Sequence, residues 1–194
     1  MRNSFVGLSN QWGTLLAGRH DTPFKISTGK IDLFGDTLAD FMNIVGFEDN
    51  RADSTIMYVS PSFNGFQFSG AVIPTGGATV NGIWNAEADS INEGWSLAAI
   101  YSNGPLFASV AYETLNGELN PAFVTVGPPP FPPVTTLQNG EDYDKWRVGL
   151  GLLDWNGFTL SGVYENWSDY QGIQDVDSDL WQIQAGYAFG NNMI

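Results

Sequence analysis

The chain has 194 residues, with 23 Gly, 7 Trp, 7 Tyr, 13 Phe, no Cys and a formal net charge of −14 from 21 acidic against 7 basic residues. The absence of cysteine excludes a disulfide scaffold, a thiolate zinc site and a cysteine nucleophile, and the acid excess argues against a nucleic-acid partner and against anchoring on anionic lipid through a basic patch. No run approaches the roughly 18 consecutive apolar residues of a spanning helix, whereas a spanning barrel stays open because its strands need only about 9 to 11 alternating residues.

The first residues, Met1-Arg2-Asn3-Ser4-Phe5-Val6, enter a strand-like alternation at once and contain no signal peptide. Large apolar residues on one parity and small or polar ones on the other then recur along the chain. They predict about nine strands, near 2–9, 12–19, 54–62, 66–74, 94–102, 106–114, 145–154, 158–167 and 180–190. The copy at 180–189 is the clearest. There Trp181, Ile183, Ala185, Tyr187 and Phe189 share one face and Gln182, Gln184 and Gly186 the other.

Short links at Asn10-Gln11, Asn64-Gly65, Asn103-Gly104 and Asn156-Gly157 alternate with long ones near 20–53, 75–93, 115–144 and 168–179. Asn-Gly suits tight hairpins because both residues tolerate positive φ. Tight turns at one end and long loops at the other are the layout of an outer-membrane barrel. The stretch Gly127-Pro128-Pro129-Pro130-Phe131-Pro132-Pro133 reads as a stiff surface loop. The whole of 1–194 reads as a single domain.

The 20–53 segment stands apart because it mixes acids with the anchors Leu33, Phe34, Leu38, Phe41, Ile44, Val45 and Phe47, and so should pack on something. By parity Arg51 shares a face with Asp53 and Thr55, Arg147 with Lys145 and Gly149, and Arg2 with Ser4, while Arg19 borders the segment. Arg2, Arg19, Arg51 and Arg147 on the wall, facing Asp32, Asp36, Asp40, Glu48 and Asp49 on the segment, would set a transverse field across a narrow aqueous gap. The same residues can equally form ordinary salt bridges between segment and wall.

Catalytic signals are poor, and no enzyme and no cofactor are expected. His20 stands alone without a nucleophile at a recognisable spacing. Asp175, Asp177 and Asp179 resemble the start of a calcium loop, yet Leu180 and Gly186 stand where that motif requires Gly and Glu, and a solvated acidic loop is the reading. Glu113 and Glu165 lie on polar strand faces as a nonspecific pair of glycosidase-like acids. Asn166-Trp167-Ser168 fits a glycosylation acceptor only at chance level.

Several motifs in order carry a resemblance: Arg2-Asn3-Ser4-Phe5-Val6-Gly7-Leu8, Gly18-Arg19-His20-Asp21-Thr22-Pro23-Phe24-Lys25, Glu48-Asp49-Asn50-Arg51-Ala52-Asp53-Ser54 and Tyr58-Val59-Ser60-Pro61. Together they resemble the Gram-negative general diffusion porins. The resemblance implies an all-β, antiparallel transmembrane barrel of sixteen strands, about nine of them present here, so that the barrel is incomplete. It implies a homotrimer in the Gram-negative outer membrane, bounded by lipid and lipopolysaccharide and passing small hydrophilic solutes passively. On that reading 20–53 is the constriction loop folded into the pore, Arg2, Arg19 and Arg51 are its basic wall residues, and Asp32, Asp36 and Asp40 lie in its acidic part. Met57 and Val59 depart from the polar residues that similar porins often carry in the pore. The ending Asn191-Asn192-Met193-Ile194 departs from the family's terminal aromatic, and about three strands before Met1 and four after Ile194 are expected to be absent. The rival expectation is a soluble β-sandwich or jelly roll that binds carbohydrate through exposed Trp, with its apolar faces meeting in a core.

Overall fold

The computed structural model describes residues 3–35, 37–40, 44–74, 79–80, 83–84, 91, 93–117, 122–126, 134–138, 142–170, 173–189 and 192–193. In chain order these form β1 (Ser4–Asn10), β2 (Gly13–Asp21), the helical turn α1 (Pro23–Ile26), β3 (Arg51–Val59), β4 (Phe66–Ile73), β5 (Thr79–Val80), β6 (Ile83–Trp84), β7 (Gly94–Asn103), β8 (Leu106–Leu115), β9 (Ala122–Val126), β10 (Val134–Gln138), β11 (Tyr143–Trp155), β12 (Phe158–Ser168), β13 (Ser178–Phe189) and β14 (Asn192–Met193). One antiparallel sheet runs β1-β2-β3-β4-β7-β8-β11-β12-β13-β14, each strand beside its neighbour in the meander, and β9 and β10 pair as a separate hairpin. Among the described residues β1 and β14 are the two edges, so the sheet is an open wall. The nine long strands of this wall are the nine that alternation predicts. Among the described residues no helix is long and apolar enough to cross a membrane, which says nothing of the strands.

Turn chemistry sets the hairpins. Asn64 and Gly65 both take positive φ, at 51° and 91°, as do Asn156 and Gly157 at 54° and 88°. Two turns sit one residue later than expected. Gln11-Trp12 closes the first hairpin between the partners Asn10 and Gly13, with the Trp12 N–H donating to Asn10 Oδ1 at 2.8 Å. Gly104-Pro105 closes another between Asn103 and Leu106. β3 lies three residues earlier than predicted, because it extends upward to pair Arg51 with Asp21 and ends before Pro61, which has no N–H to continue the ladder. A register shift between Gly18 and His20 adds one residue to β3. As a result Ala52 and Thr55, three apart, are both fully buried, and the simple parity that grouped Arg51 with Asp53 and Thr55 does not hold.

The two faces of the wall are chemically opposite. One presents Leu15, Ile56, Phe68, Leu97, Val110, Leu150, Leu160, Trp181 and Ile183, each about half exposed or more, with no second layer over it among the described residues. A sandwich would bury that face against another sheet, so the soluble carbohydrate-binding reading is not supported. The opposite face carries Ser96, Ser109, Thr159, Ser161 and Gln184 beside small apolar residues such as Ala98 and Ala111, all buried.

Ring pairs edge the apolar face at both ends. Trp95 with Tyr112 and Trp146 with Tyr164 lie toward the long links, at centroid distances of 5.0 and 4.9 Å. Phe66 with Tyr101 and Phe158 with Tyr187 lie toward the tight turns, at 4.6 and 4.5 Å. At ~3.3 Å per residue and the roughly 40° tilt of such strands, the span from Trp146 to Trp155 is about 30 Å along the strand and about 23 Å in height, close to the apolar band of an outer-membrane barrel.

Candidate functional site

The segment between β2 and β3 lies on the polar face of the wall and is built in two legs. Thr22 opens the outgoing leg: its hydroxyl caps α1, and Pro23 supplies a pre-set φ at the first helical position. The leg then crosses the strands in order. Phe24 N–H donates to Ser96 Oγ on β7 at 2.9 Å, and the Thr28 hydroxyl accepts from Arg147 Nη1 on β11 at 2.9 Å. Ser161 Oγ on β12 donates to the Ile31 carbonyl at 2.8 Å, and Leu33 N–H donates to Gln184 Oε1 on β13 at 2.8 Å. Of the apolar anchors, Phe47 is buried and Leu33 and Val45 are half-buried, whereas Phe34, Leu38 and Ile44 are exposed and Phe41 lies outside the described residues; Phe24 and Ile31, which are not among those anchors, are the other apolar residues buried against the wall. The returning leg closes on the outgoing one through Thr22 N–H to the Asn50 carbonyl at 3.2 Å.

Beneath both legs runs a ladder of buried charges contributed by neighbouring strands. Lys145 on β11 opposes Glu113 on β8 and bonds it at 3.1 Å, and Arg147 opposes Glu165 on β12 and bonds it at 2.5 Å. All four side chains are at most 2% exposed. The segment adds a partner to each of them. Asp49 pairs with Arg147 at 2.8 Å, the Glu48 carbonyl accepts from Lys145 Nζ at 2.9 Å, Glu48 N–H donates to Glu165 Oε1 at 3.3 Å, and Asn50 Nδ2 donates to Glu113. The Phe24 ring lies under both cations, 4.6 Å from Lys145 Nζ and 4.4 Å from Arg147 Cζ. A buried charge that loses its partner is costly, and here each of the four wall charges takes a group from the segment, although Glu113 Oε2 has no hydrogen-bond partner among the described residues. The ladder therefore works as a latch.

Of the residues singled out from the sequence, Arg2 and Asp36 lie outside the described residues. Arg147 is buried beneath the segment, so it meets Asp49 in direct contact and not across an aqueous gap. Arg19 pairs with Asp53, and Arg51 with Asp21 at 2.7 Å; these pairs remain partly open to solvent. Asp32 accepts from Phe34 N–H at 3.1 Å and from Gln184 Nε2 at 3.3 Å, which ties it to β13. Asp40 takes part in the turns after Thr37, its N–H donating to the Thr37 carbonyl at 3.3 Å. Glu48 and Asp49 belong to the latch.

The remaining motifs resolve simply. His20 Nδ1 lies 2.8 Å from the Asp21 carbonyl and its ring packs edge-on against Phe5. Glu113 and Glu165 are the acid halves of the latch. Asp179 accepts from the Tyr164 hydroxyl on the apolar face, apart from Asp175 and Asp177, and among the described residues no group of three His, Cys, Asp or Glu side chains is placed to hold a metal. Trp167 of the Asn-Trp-Ser triplet is buried within β12. The proline run at 127–133 lies outside the described residues.

Comparison with known proteins agrees with this architecture. A sequence model of the family described as Gram-negative porin matches residues 1–194. An outer membrane porin protein of Bordetella pertussis is 31% identical over 159 residues, covering 78% of this chain and 40% of that protein. Among solved structures, an anion-selective porin from Comamonas acidovorans superposes with a TM-score of 0.60 at 20% identity, over 97% of this chain and 53% of that one. The Salmonella typhi OmpF complex with daunomycin gives 0.53 at 13% identity, over 98% and 67%. The chain thus spans about 40% of the curated relative it matches.

Proposed function

The chain belongs to the Gram-negative porin family, and from that premise we propose that it supplies wall and constriction to a water-filled outer-membrane channel for passive diffusion of small hydrophilic solutes. The observation that carries this reading is the inverted packing: large apolar side chains on the uncovered face, and hydroxyls, amides and charges on the face that holds the 20–53 segment. In lipid the backbone of each strand is satisfied by its neighbours, so the apolar face can lie against acyl chains. The segment, latched across β7 to β13, narrows the lumen as a constriction loop. Solute selection then follows from charged side chains on the two sides of the lumen. Arg2, Arg19 and Arg51 act on the wall side, Asp32, Asp36 and Asp40 on the segment side, and Arg147, Glu48 and Asp49 hold the segment in place. The assembly proposed is a homotrimer embedded in outer-membrane lipid and lipopolysaccharide.

The test is electrical. The protein extracted from outer membranes and reconstituted in a planar bilayer should give discrete conductance steps, and their absence would contradict the channel. Under a salt gradient, Arg51→Gln and Asp40→Asn should shift the reversal potential in opposite directions. Each charge at about 8 Å in water is worth ~0.5 kcal/mol, or roughly two-fold in ion permeability.

A further inference from the structure

On the uncovered face one glycine breaks a row of large side chains. Gly162 on β12 lies between its register neighbours Leu150 on β11 and Ile183 on β13, and a Cβ placed there would find nothing nearer than 3.7 Å. The gap lines a groove of about 400 Å³, which shares Leu152 and Leu160 with a second groove of about 610 Å³. The second groove runs to the tight-turn end, where Trp155, Phe158 and Tyr187 line it. Trp155 reaches it because the irregularity after Leu152 puts residues three apart on one face. From Trp155 to Leu150 is about 16 Å along the strand and about 13 Å in height, half of the roughly 25 Å apolar band. The paired groove therefore spans a single leaflet, from its polar rim to the middle of the membrane. At that rim the charge is one-sided. Asp154, exposed in the turn at φ 51° with its N–H donating to Thr159 Oγ1 at 3.0 Å, makes no ion pair among the described residues. No lysine or arginine follows Arg147 in the sequence.

We infer that this paired groove is a binding site for a two-chain phospholipid with an ethanolamine headgroup. The inference rests on the reading above that this face lies against acyl chains. Two adjoining grooves suit two chains of one lipid, with Leu152 and Leu160 touching both. Within a membrane a chain is held by dispersion contacts and not by release of water, so the depth left by the missing side chain at Gly162 decides how well it seats. At the rim the Trp155 indole N–H and the Tyr187 hydroxyl can donate to a phosphodiester. The Asp154 carboxylate then accepts charge-assisted hydrogen bonds from the ammonium. A choline headgroup has no N–H to give. A glycerol headgroup leaves the phosphate charge beside Asp154 with no basic residue to offset it. Ethanolamine is the headgroup that satisfies the aromatic donors and the carboxylate together.

The test uses the protein extracted from outer membranes in detergent and freed of lipid, with retained lipid counted by native mass spectrometry. Dipalmitoyl phosphatidylethanolamine, phosphatidylcholine and phosphatidylglycerol are added in separate arms. One phosphatidylethanolamine per chain, half-saturating at a concentration about fivefold below the other two, supports the site. Asp154→Asn keeps a residue tolerant of positive φ and should remove that preference, leaving retention of phosphatidylcholine unchanged. Gly162→Leu should weaken all three lipids about tenfold, since its side chain occupies the groove, with conductance steps in a planar bilayer retained as the sign of an assembled barrel. Equal half-saturation for the three lipids, retention that rises without saturating, or retention unchanged in both variants overturns the site while leaving the channel intact. Absence of conductance steps in the parent protein overturns the channel reading itself, and the lipid count is read independently of it.

Discussion

Two sets of cation–carboxylate pairs hold the same segment, and they differ in depth. At its middle, Lys145 with Glu113 and Arg147 with Glu165 are sealed from water, at most 2% exposed. At its ends, Arg19 with Asp53 and Arg51 with Asp21 are between about a fifth and a third exposed. The same residue types therefore do different work. A buried charge that loses its partner keeps the full desolvation penalty, whereas an exposed one exchanges its partner for water at little cost. The inner pairs hold the segment against the wall, and the outer pairs stay in contact with water.

The sharpest way to break that contrast is Arg147→Met, which leaves Glu165 buried without its cation. It should cost ~3–5 kcal/mol, read as a lowered unfolding temperature in detergent together with protease cleavage within residues 22–50. Arg147→Met combined with Glu165→Leu should regain most of the loss, since an apolar pair can replace a buried ionic one. Next in size is the uncovered face. Leu150→Arg, placed midway between the aromatic rows, should cost ~2–4 kcal/mol in urea titrations of the barrel in lipid vesicles; a soluble domain would tolerate arginine at a position already 61% exposed. Smallest is a pair of glycines. A Cβ at Gly149 would meet Ser109 Oγ at 2.7 Å and Ile31 Cδ1 at 2.8 Å, whereas one at Gly162 finds nothing nearer than 3.7 Å. Gly149→Ala should therefore cost ~1–3 kcal/mol by overpacking the segment against the wall, and Gly162→Ala should stay within ~0.5 kcal/mol, both measured by the same vesicle titration.

Much of the wall was legible in the sequence because alternation and Asn-Gly chemistry are local. The faces of Trp181, Ile183 and Tyr187 against Gln182 and Gln184 follow from strand parity alone, and the structure places them so. The latch was not legible, because it depends on register. A two-residue turn at Asn156-Gly157 by itself would oppose Arg147 with Asn166. The irregularity between Leu152 and Trp155 moves the pairing by one residue and brings in Glu165. Lys145 meets Glu113 across a connection of more than two dozen residues, which no local signal fixes. Glu113 and Glu165 thus looked like spare acids, and Arg147 like a cation facing water. The extra residue in β3 likewise overrode the parity that had placed Arg51 with Thr55.

The claim on which the rest depends is that the segment is seated on β11. The chain has no cysteine, so a cross-link can be read without interference. Ile31 Cγ2 lies 2.9 Å from where a Cβ on Gly151 would be, which brings the two Cβ atoms within the ~3.5–4.5 Å range of a disulfide. Ile31→Cys with Gly151→Cys should oxidise spontaneously in the assembled barrel, with conductance steps retained and neither thiol open to a water-soluble maleimide. Two free, maleimide-reactive thiols in a conducting channel would contradict the account.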